Sequence, residues 1–290
     1  MKTIITHSGA FHADDVFAVA TLLLVYSDAE VVRSRNEEII NNGDIVVDVG
    51  GVYDPKKMRF DHHQPGGAGS RPNGIPYASF GLVWKEYGEQ LSGIEEKKII
   101  DSLLASPIDA LDNGVDISES IFEGIREFSV RDFLYSYVDN SKSDEGYLSQ
   151  TFLTVVAVAK DLLQREIIRA REVVGGMKKV QSIVDGMDDK RIVVLDEDLP
   201  WGNVLSKIKE PMYVVYPRKE GNWGVRAVRD NINGFDMRKP LPLDWAGKTG
   251  ESLVESTGIA DAVFCHNKRF LIAAKSKEGA IKLAHIALNS

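Results

Sequence analysis

Short runs of β-branched residues alternate with helical patterns through the first hundred positions, and this alternation restricts the fold of the 290-residue chain more than any other feature. Residues Thr3–Thr6, 30–34 and 45–49 read as strands, and 14–26 reads as a helix opened by two acidic residues that suit a helix N-terminus. Strand, helix, strand in this order builds a parallel sheet covered by helices, because parallel neighbours need a long crossover. Ile45-Val46-Val47 has the unbroken β-branched content of a strand buried on both faces. Further helices are expected at 78–87, 95–105 and 118–127, then a long one over 152–187 that the Gly175-Gly176 pair is placed to interrupt. After the polar turn 186–190 a second α/β set follows, with strands near 191–195, 212–216, 223–229, Ala262–Cys265 and 270–274 and a closing helix at 277–288. The expected fold class is α/β: a mostly parallel sheet with flanking helices over residues 1–187, including the long connecting helix, and a smaller α/β domain over 188–290.

Charge and cysteine content remove several classes of function. Thirty-five Lys and Arg against 43 Asp and Glu give a net −8, the wrong sign for coating duplex DNA through counterion release. The charge is uneven: residues 1–150 carry 13 basic and 25 acidic side chains, net −12, whereas 151–290 carry 22 and 18, net +4. An acidic front half suits cations and a mildly basic back half suits an anion, although solvated faces account for both. The single cysteine, Cys265, rules out an internal disulfide and a multi-thiolate zinc site, and its predicted strand makes it a buried small hydrophobe. The longest apolar run, residues 17–26, is short of the ~20 needed to span a bilayer. A soluble, cytoplasmic protein with no membrane partner is the expectation.

The chemistry gathers in the front half. Four of the six histidines, His7, His12, His62 and His63, fall within the first 63 residues, among carboxylates and where strands should end. Strand carboxyl ends face the binding crevice of an open parallel sheet, so residues distant in sequence can meet there. Imidazole with carboxylate suits manganese, zinc, iron or cobalt better than calcium or magnesium. His7 alone reads more readily as a hydrogen-bonded core or surface residue than as a ligand, and Asp14 and Asp15 read also as helix-terminal charges. Asp48 is harder to dismiss, because a carboxylate ending an apolar strand is costly to bury unless it is paired or bound to metal. Asp61-His62-His63 sets two imidazoles beside an acid able to orient one of them.

Asp61-His62-His63, preceded by Asp48 and by an N-terminal His and Asp cluster, resembles the DHH superfamily of manganese-dependent phosphoesterases, which includes RecJ-type exonucleases, oligoribonucleases and family II inorganic pyrophosphatases. More closely, the runs 6–15, 46–54, 59–64, 81–84, 108–114 and 238–247, with Phe264-Cys265-His266, look like the melanocyte-proliferating-gene protein family along essentially the whole chain. The resemblance implies two divalent ions, manganese first, with magnesium, zinc, cobalt or iron as alternatives. It assigns His7, His12 and Asp48 to one ion and Asp14, Asp48, His62 and Asp109 to the other. His12 stands where most DHH enzymes have an aspartate, which keeps Asp15 as a reserve ligand.

By the same resemblance Asp61 would orient His62, His63 would hydrogen-bond a phosphoryl oxygen or act as general acid, and the second lobe would bind substrate through Arg238, Lys239 and His266. Arg71, beside the glycine-rich 66–70 segment, is placed to reach substrate; Trp223 and Trp245 are placed to stack a base or simply to pack. The implied activity is metal-dependent phosphodiester hydrolysis, a 3′-to-5′ exonuclease on RNA or short single-stranded oligonucleotides. A small phosphorylated substrate, such as a dinucleotide or pyrophosphate, fits the acidic charge as well, and a non-catalytic metal-binding interaction protein is the competitor from another class. Homo-oligomerisation is left open.

Overall fold

Chain connectivity explains most of the architecture. The computed structural model describes residues 1–232 and 234–290, and these form two compact units, Met1–Arg171 and Glu172–Ser290. In the first unit, strand β1 (Thr3–Thr6) leads into helix α1 (Ala13–Val25), strand β2 (Glu30–Arg33), helix α2 (Glu37–Asn42) and strand β3 (Ile45–Val47). Strand β4 (Tyr53–Asp54) and strand β5 (Arg59–Phe60) complete a sheet of order β2-β1-β3-β5-β4. The β1–β2, β1–β3 and β3–β5 pairs are parallel; β4 and β5 are antiparallel. The β4–β5 link is a single tight turn closed at Met58, which is left-handed (φ 56°). So short a link leaves no room for a crossover and forces antiparallel pairing.

Both faces of this sheet are covered. Ile4, Ile45, Val47 and Phe60 join one core with Phe17, Phe80, Trp84 and Phe152, while Ile5, Val46 and Val49 pack with Ile40 of α2 on the other side. β3 is thus buried on both faces, as its composition requires. Helix α3 (Ser79–Ser92) lies against α1. It is followed by α4 (Ile94–Ile100), a π-helical turn (Asp101–Ala105) and α5 (Ser106–Asp112). The widened turn ends two residues before Pro107, which lacks the N–H that would continue the α-helical ladder.

The expected helix at 118–127 does not form. Gly124 is left-handed (φ 75°), and Ser120 Oγ donates to the carbonyls of Phe122 and Ile125, offering the backbone an alternative to helical bonds. Its apolar side chains find no core: Ile121 is 84% and Phe122 67% exposed. Helix α6 (Val130–Tyr135) begins only after Ser129 supplies a cap. Helix α7 (Glu145–Asp185) then runs without a break through Gly175-Gly176, where a Cβ on Gly176 would fall 2.5 Å from Pro200. That glycine serves close packing and does not end the helix.

The second unit contains strand β6 (Ile192–Val194), helix α8 (Gly202–Leu205), strands β7 (Tyr213–Pro217) and β8 (Trp223–Ala227), helix α9 (Gly250–Thr257), strands β9 (Ala262–Cys265) and β10 (Leu271–Ala274), and helix α10 (Lys277–Asn289). Its sheet order is β6-β7-β8-β10-β9, parallel only at β6–β7. Short connections at 218–222 and 266–270 again dictate antiparallel pairing. The fold is therefore α/β with helices flanking two mixed sheets; the expectation of a mostly parallel arrangement is corrected by these hairpins. Cys265 is buried, as its strand position suggested.

Candidate metal centre

Because β1, β3 and β5 are adjacent and parallel, their carboxyl ends lie in a row, and each ends in a polar residue: His7, Asp48 and Asp61. The N-terminus of α1 adds His12, Asp14 and Asp15. His7, Asp14, Asp15, Asp48 and Asp61 are all buried, at 3% exposure or less.

Asp48 is the hub. His7 Nε2 lies 3.3 Å from its Oδ2, while His62 Nε2 and His63 Nδ1 each lie 3.4 Å from its Oδ1. Ser79 Oγ donates to Oδ1 at 3.0 Å. The residue is left-handed (φ 54°), a conformation that Asp and Asn tolerate better than most side chains and that recurs where function over-determines the backbone. Burial opposes ionisation of Asp48, but the facing imidazoles His62 and His7 outweigh it and hold the carboxyl well below its usual range.

His7 meets Asp15 at 3.1 Å as well as Asp48. Burial opposes charging its ring, yet these two carboxylates push its pKa up to about 10. His62 behaves alike: against burial, Asp112 at 3.1 Å and Asp48 push it up to about 10. Asp15 accepts the His12 backbone N–H at Oδ1, so this reserve candidate supports its neighbours. Asp14 is different. Its pKa is driven well above the usual value by burial and by Asp48 and Asp112. Neither of its oxygens has a hydrogen-bond partner; His62 Nε2 lies 3.8 Å from Oδ2.

Donor atoms converge as three overlapping groups: His7, His12 and Asp48; Asp48, His62 and His63; His12, Asp14 and Asp112, with the atoms of each group within 4.8 Å of one another. Asp48 and His12 are each shared between two groups. Buried oxygens without partners are costly, and a cation among them removes that cost. The donor set, imidazole plus carboxylate, therefore fits a divalent transition metal.

The geometry departs from the expected assignments in two places. Asp61 faces His63 (Oδ1 to Nδ1 2.8 Å) and accepts the Gly51 N–H at 2.5 Å; it does not orient His62. His63 is 62% exposed in its side chain, and its pKa is raised first by Asp61. Asp109 is in none of these donor groups: Arg71 Nη1 donates to its Oδ2 at 2.7 Å and the Gly81 N–H to its Oδ1 at 2.9 Å. Its pKa is pushed up to about 7, chiefly by burial. One turn later on α5, Asp112 takes the place beside His62 that the resemblance gave to Asp109. Arg71 is itself buried between Asp101 and Asp109, which removes it from substrate contact.

In the second unit, Arg238 donates to the carbonyls of Ser206, Ile208 and Pro211 and pairs with Asp230. Lys239 Nζ caps the C-terminal turn of α10 through the Leu288 and Ser290 carbonyls. His266 accepts the Lys268 N–H at Nδ1 and lies 4.3 Å from Phe270. The donors of Arg238 and Lys239 are thus committed to structure. Trp245 is buried in the core and Lys277 lies over Trp223. Sequence reasoning missed Asp112, Ser79 and Gly51 as participants; only Asp112 carried a signal, as an acid one helical turn from a chosen one.

An α/β protein with a buried His and Asp cluster suited to divalent metal is the class that this fold and site define. Comparison with known proteins is more specific. Residues 3–288 match the family model MYG1_exonuc, described as Uncharacterised protein family (UPF0160). The chain is 32% identical to the MYG1 protein of Dictyostelium discoideum, covering 99% of this chain and 96% of that one. It is 31% identical to the MYG1 exonuclease of Homo sapiens (98% and 85%) and 32% identical to the MYG1 protein of Chlamydia muridarum (99% and 96%). The chain belongs to the MYG1 family.

Metal binding at this centre should depend on pH in a defined direction. Imidazole must be neutral to ligate a cation, whereas His7 and His62, both raised to about 10, are protonated at neutral pH without one. Manganese uptake is therefore expected to release protons and to tighten as pH rises from 6 to 8.5. Without metal, the stabilisation from these raised values is fully present below the ordinary value of 6.5 and is lost as pH rises through about 10. Calorimetry in buffers of different ionisation enthalpy checks this; flat affinity with no proton release contradicts it.

Proposed function

We propose that this protein is a divalent-metal-dependent phosphohydrolase of the DHH type, acting as a 3′-to-5′ exonuclease on RNA or short single-stranded oligonucleotides. The observation that carries the reading is the Asp14 carboxyl, wholly buried, with neither oxygen hydrogen-bonded, in a donor group with His12 and Asp112 that shares His12 with the His7 and Asp48 group. The exonuclease names of mammalian relatives, including that of Homo sapiens, support the reaction class.

His7, His12 and Asp48 would hold one ion, and Asp14, Asp112, Asp48 and His62 its neighbour. Such a pair supplies positive charge for phosphoryl oxygens and lowers the pKa of coordinated water. Asp61 fixes the ring of His63 through Nδ1, which leaves Nε2 to donate a proton to a leaving oxygen. Ser79 and the left-handed backbone hold Asp48 between the two donor groups. Manganese and a cytoplasmic setting complete the proposal; among the described residues no helix is long and apolar enough to cross a membrane.

The test is hydrolysis of a labelled oligoribonucleotide in manganese. Asp61→Ala with His62→Ala should abolish it while circular dichroism stays unchanged, and full retained activity would reject the centre. A small phosphorylated substrate remains the second reading, favoured by the size of the adjoining cavity, about 260 Å³. Turnover of a trinucleotide, a longer RNA and pyrophosphate side by side separates the two.

A further inference from the structure

The cavity of about 260 Å³ beside the centre is lined by His12, Asp14, His63 and Asp112, by three apolar residues, and by Arg131 of α6. Among the described residues no carboxylate lies within ion-pair distance of Arg131. The neighbouring acid, Asp132, is already engaged: Arg126 donates to both its oxygens, at 2.6 and 2.8 Å, and it closes the Ser129 cap. The Arg131 guanidinium lies over the Tyr135 ring, 5.3 Å from its centroid. A cation–π contact of this kind steadies the guanidinium without using its N–H donors. Leu134, 2% exposed, anchors α6 in the core, so the short helix has a fixed seat from which to present the arginine.

An unpaired guanidinium facing a ring of acids and imidazoles has two physical uses: it offsets their charge, or it receives an anion lodged between itself and bound cations. Its free donor edge favours the second, since a fork of N–H groups matches the oxygens of a phosphoryl group. Resting on the phosphohydrolase reading above, we propose that Arg131 is the substrate-binding residue of this site, gripping the scissile phosphoryl group opposite the metal centre. The phosphate clamp then comes from the first unit itself, from a residue outside the set Arg238, Lys239 and His266.

The full-length protein loaded with manganese is titrated with inorganic phosphate by calorimetry, as wild type, R131A and R131K, and manganese affinity is measured on all three. Phosphate affinity should fall about 10- to 100-fold in R131A and recover in part in R131K, which keeps the charge and loses the fork. Manganese affinity should stay unchanged. Equal phosphate affinity in wild type and R131A overturns the proposal. So does a change in manganese affinity that accounts for the loss, because Arg131 then acts on the charge of the cluster. A wild-type protein that takes up no phosphate sinks the phosphohydrolase reading and this proposal together, a result distinct from the first because the unmodified chain is then silent.

Discussion

Asp48→Asn is expected to empty both of the proposed metal positions and to lower the proposed oligoribonucleotide hydrolysis by about a thousandfold or more, since even outer partners of metal ligands are worth about 10- to 100-fold in affinity. Asparagine is the informative substitution. It keeps the shape of the side chain and tolerates the left-handed backbone at φ 54°, so loss of activity would not trace to strain at that residue. What it removes is the charge that faces His7 at 3.3 Å and His62 at 3.4 Å. Manganese stoichiometry measured by mass spectrometry, beside the rate, checks the claim. A D48N protein that keeps two ions and normal turnover would refute the shared role of this carboxylate.

Gly81→Ala is expected to cost about 3–5 kcal/mol of stability, the range for breaking a buried ion pair. The added Cβ would fall 1.7 Å from Asp109 Oδ2 and 2.6 Å from Arg71 Nη2. Asp109 must then leave the N-terminal turn of α3 and give up Arg71, a guanidinium also held by Asp101. Urea unfolding in chelator measures the cost without metal linkage; a change under about 1 kcal/mol, ordinary for a surface substitution, would mean the contact yields easily. The same geometry separates two aspartates: D112N should lose manganese, whereas D109N should lose stability first.

Much of the candidate site is legible before any fold is known, because its residues sit at local landmarks. His7 follows a β-branched run, Asp48 ends another, and Asp61-His62-His63 are consecutive. The assignments that shift are those that depend on side-chain direction. Asp109 and Asp112 are three residues apart on one helix and thus near neighbours on its surface, so the packing of α5 against α1 and α3 decides which meets His62 and which meets Arg71. Asp61 turns to His63 because its other oxygen is fixed by the Gly51 N–H, from a loop ten residues earlier. The apolar residues of 118–127 have helical spacing yet find no partner face, and local Ser and Gly geometry prevails.

Local order along the chain determined the strands, the long helix and the stock of imidazoles and acids, since each depends on a few successive residues and on which side chains avoid water. Tertiary structure alone decided that β1, β3 and β5 stand side by side, and hence that three strand ends separated by tens of residues share one buried cluster. It also decided which acid is left without a hydrogen bond there. The physical reason is that the cost of burying charge depends on every group within a few ångströms, and the chain sets those neighbours only when it closes into a sheet.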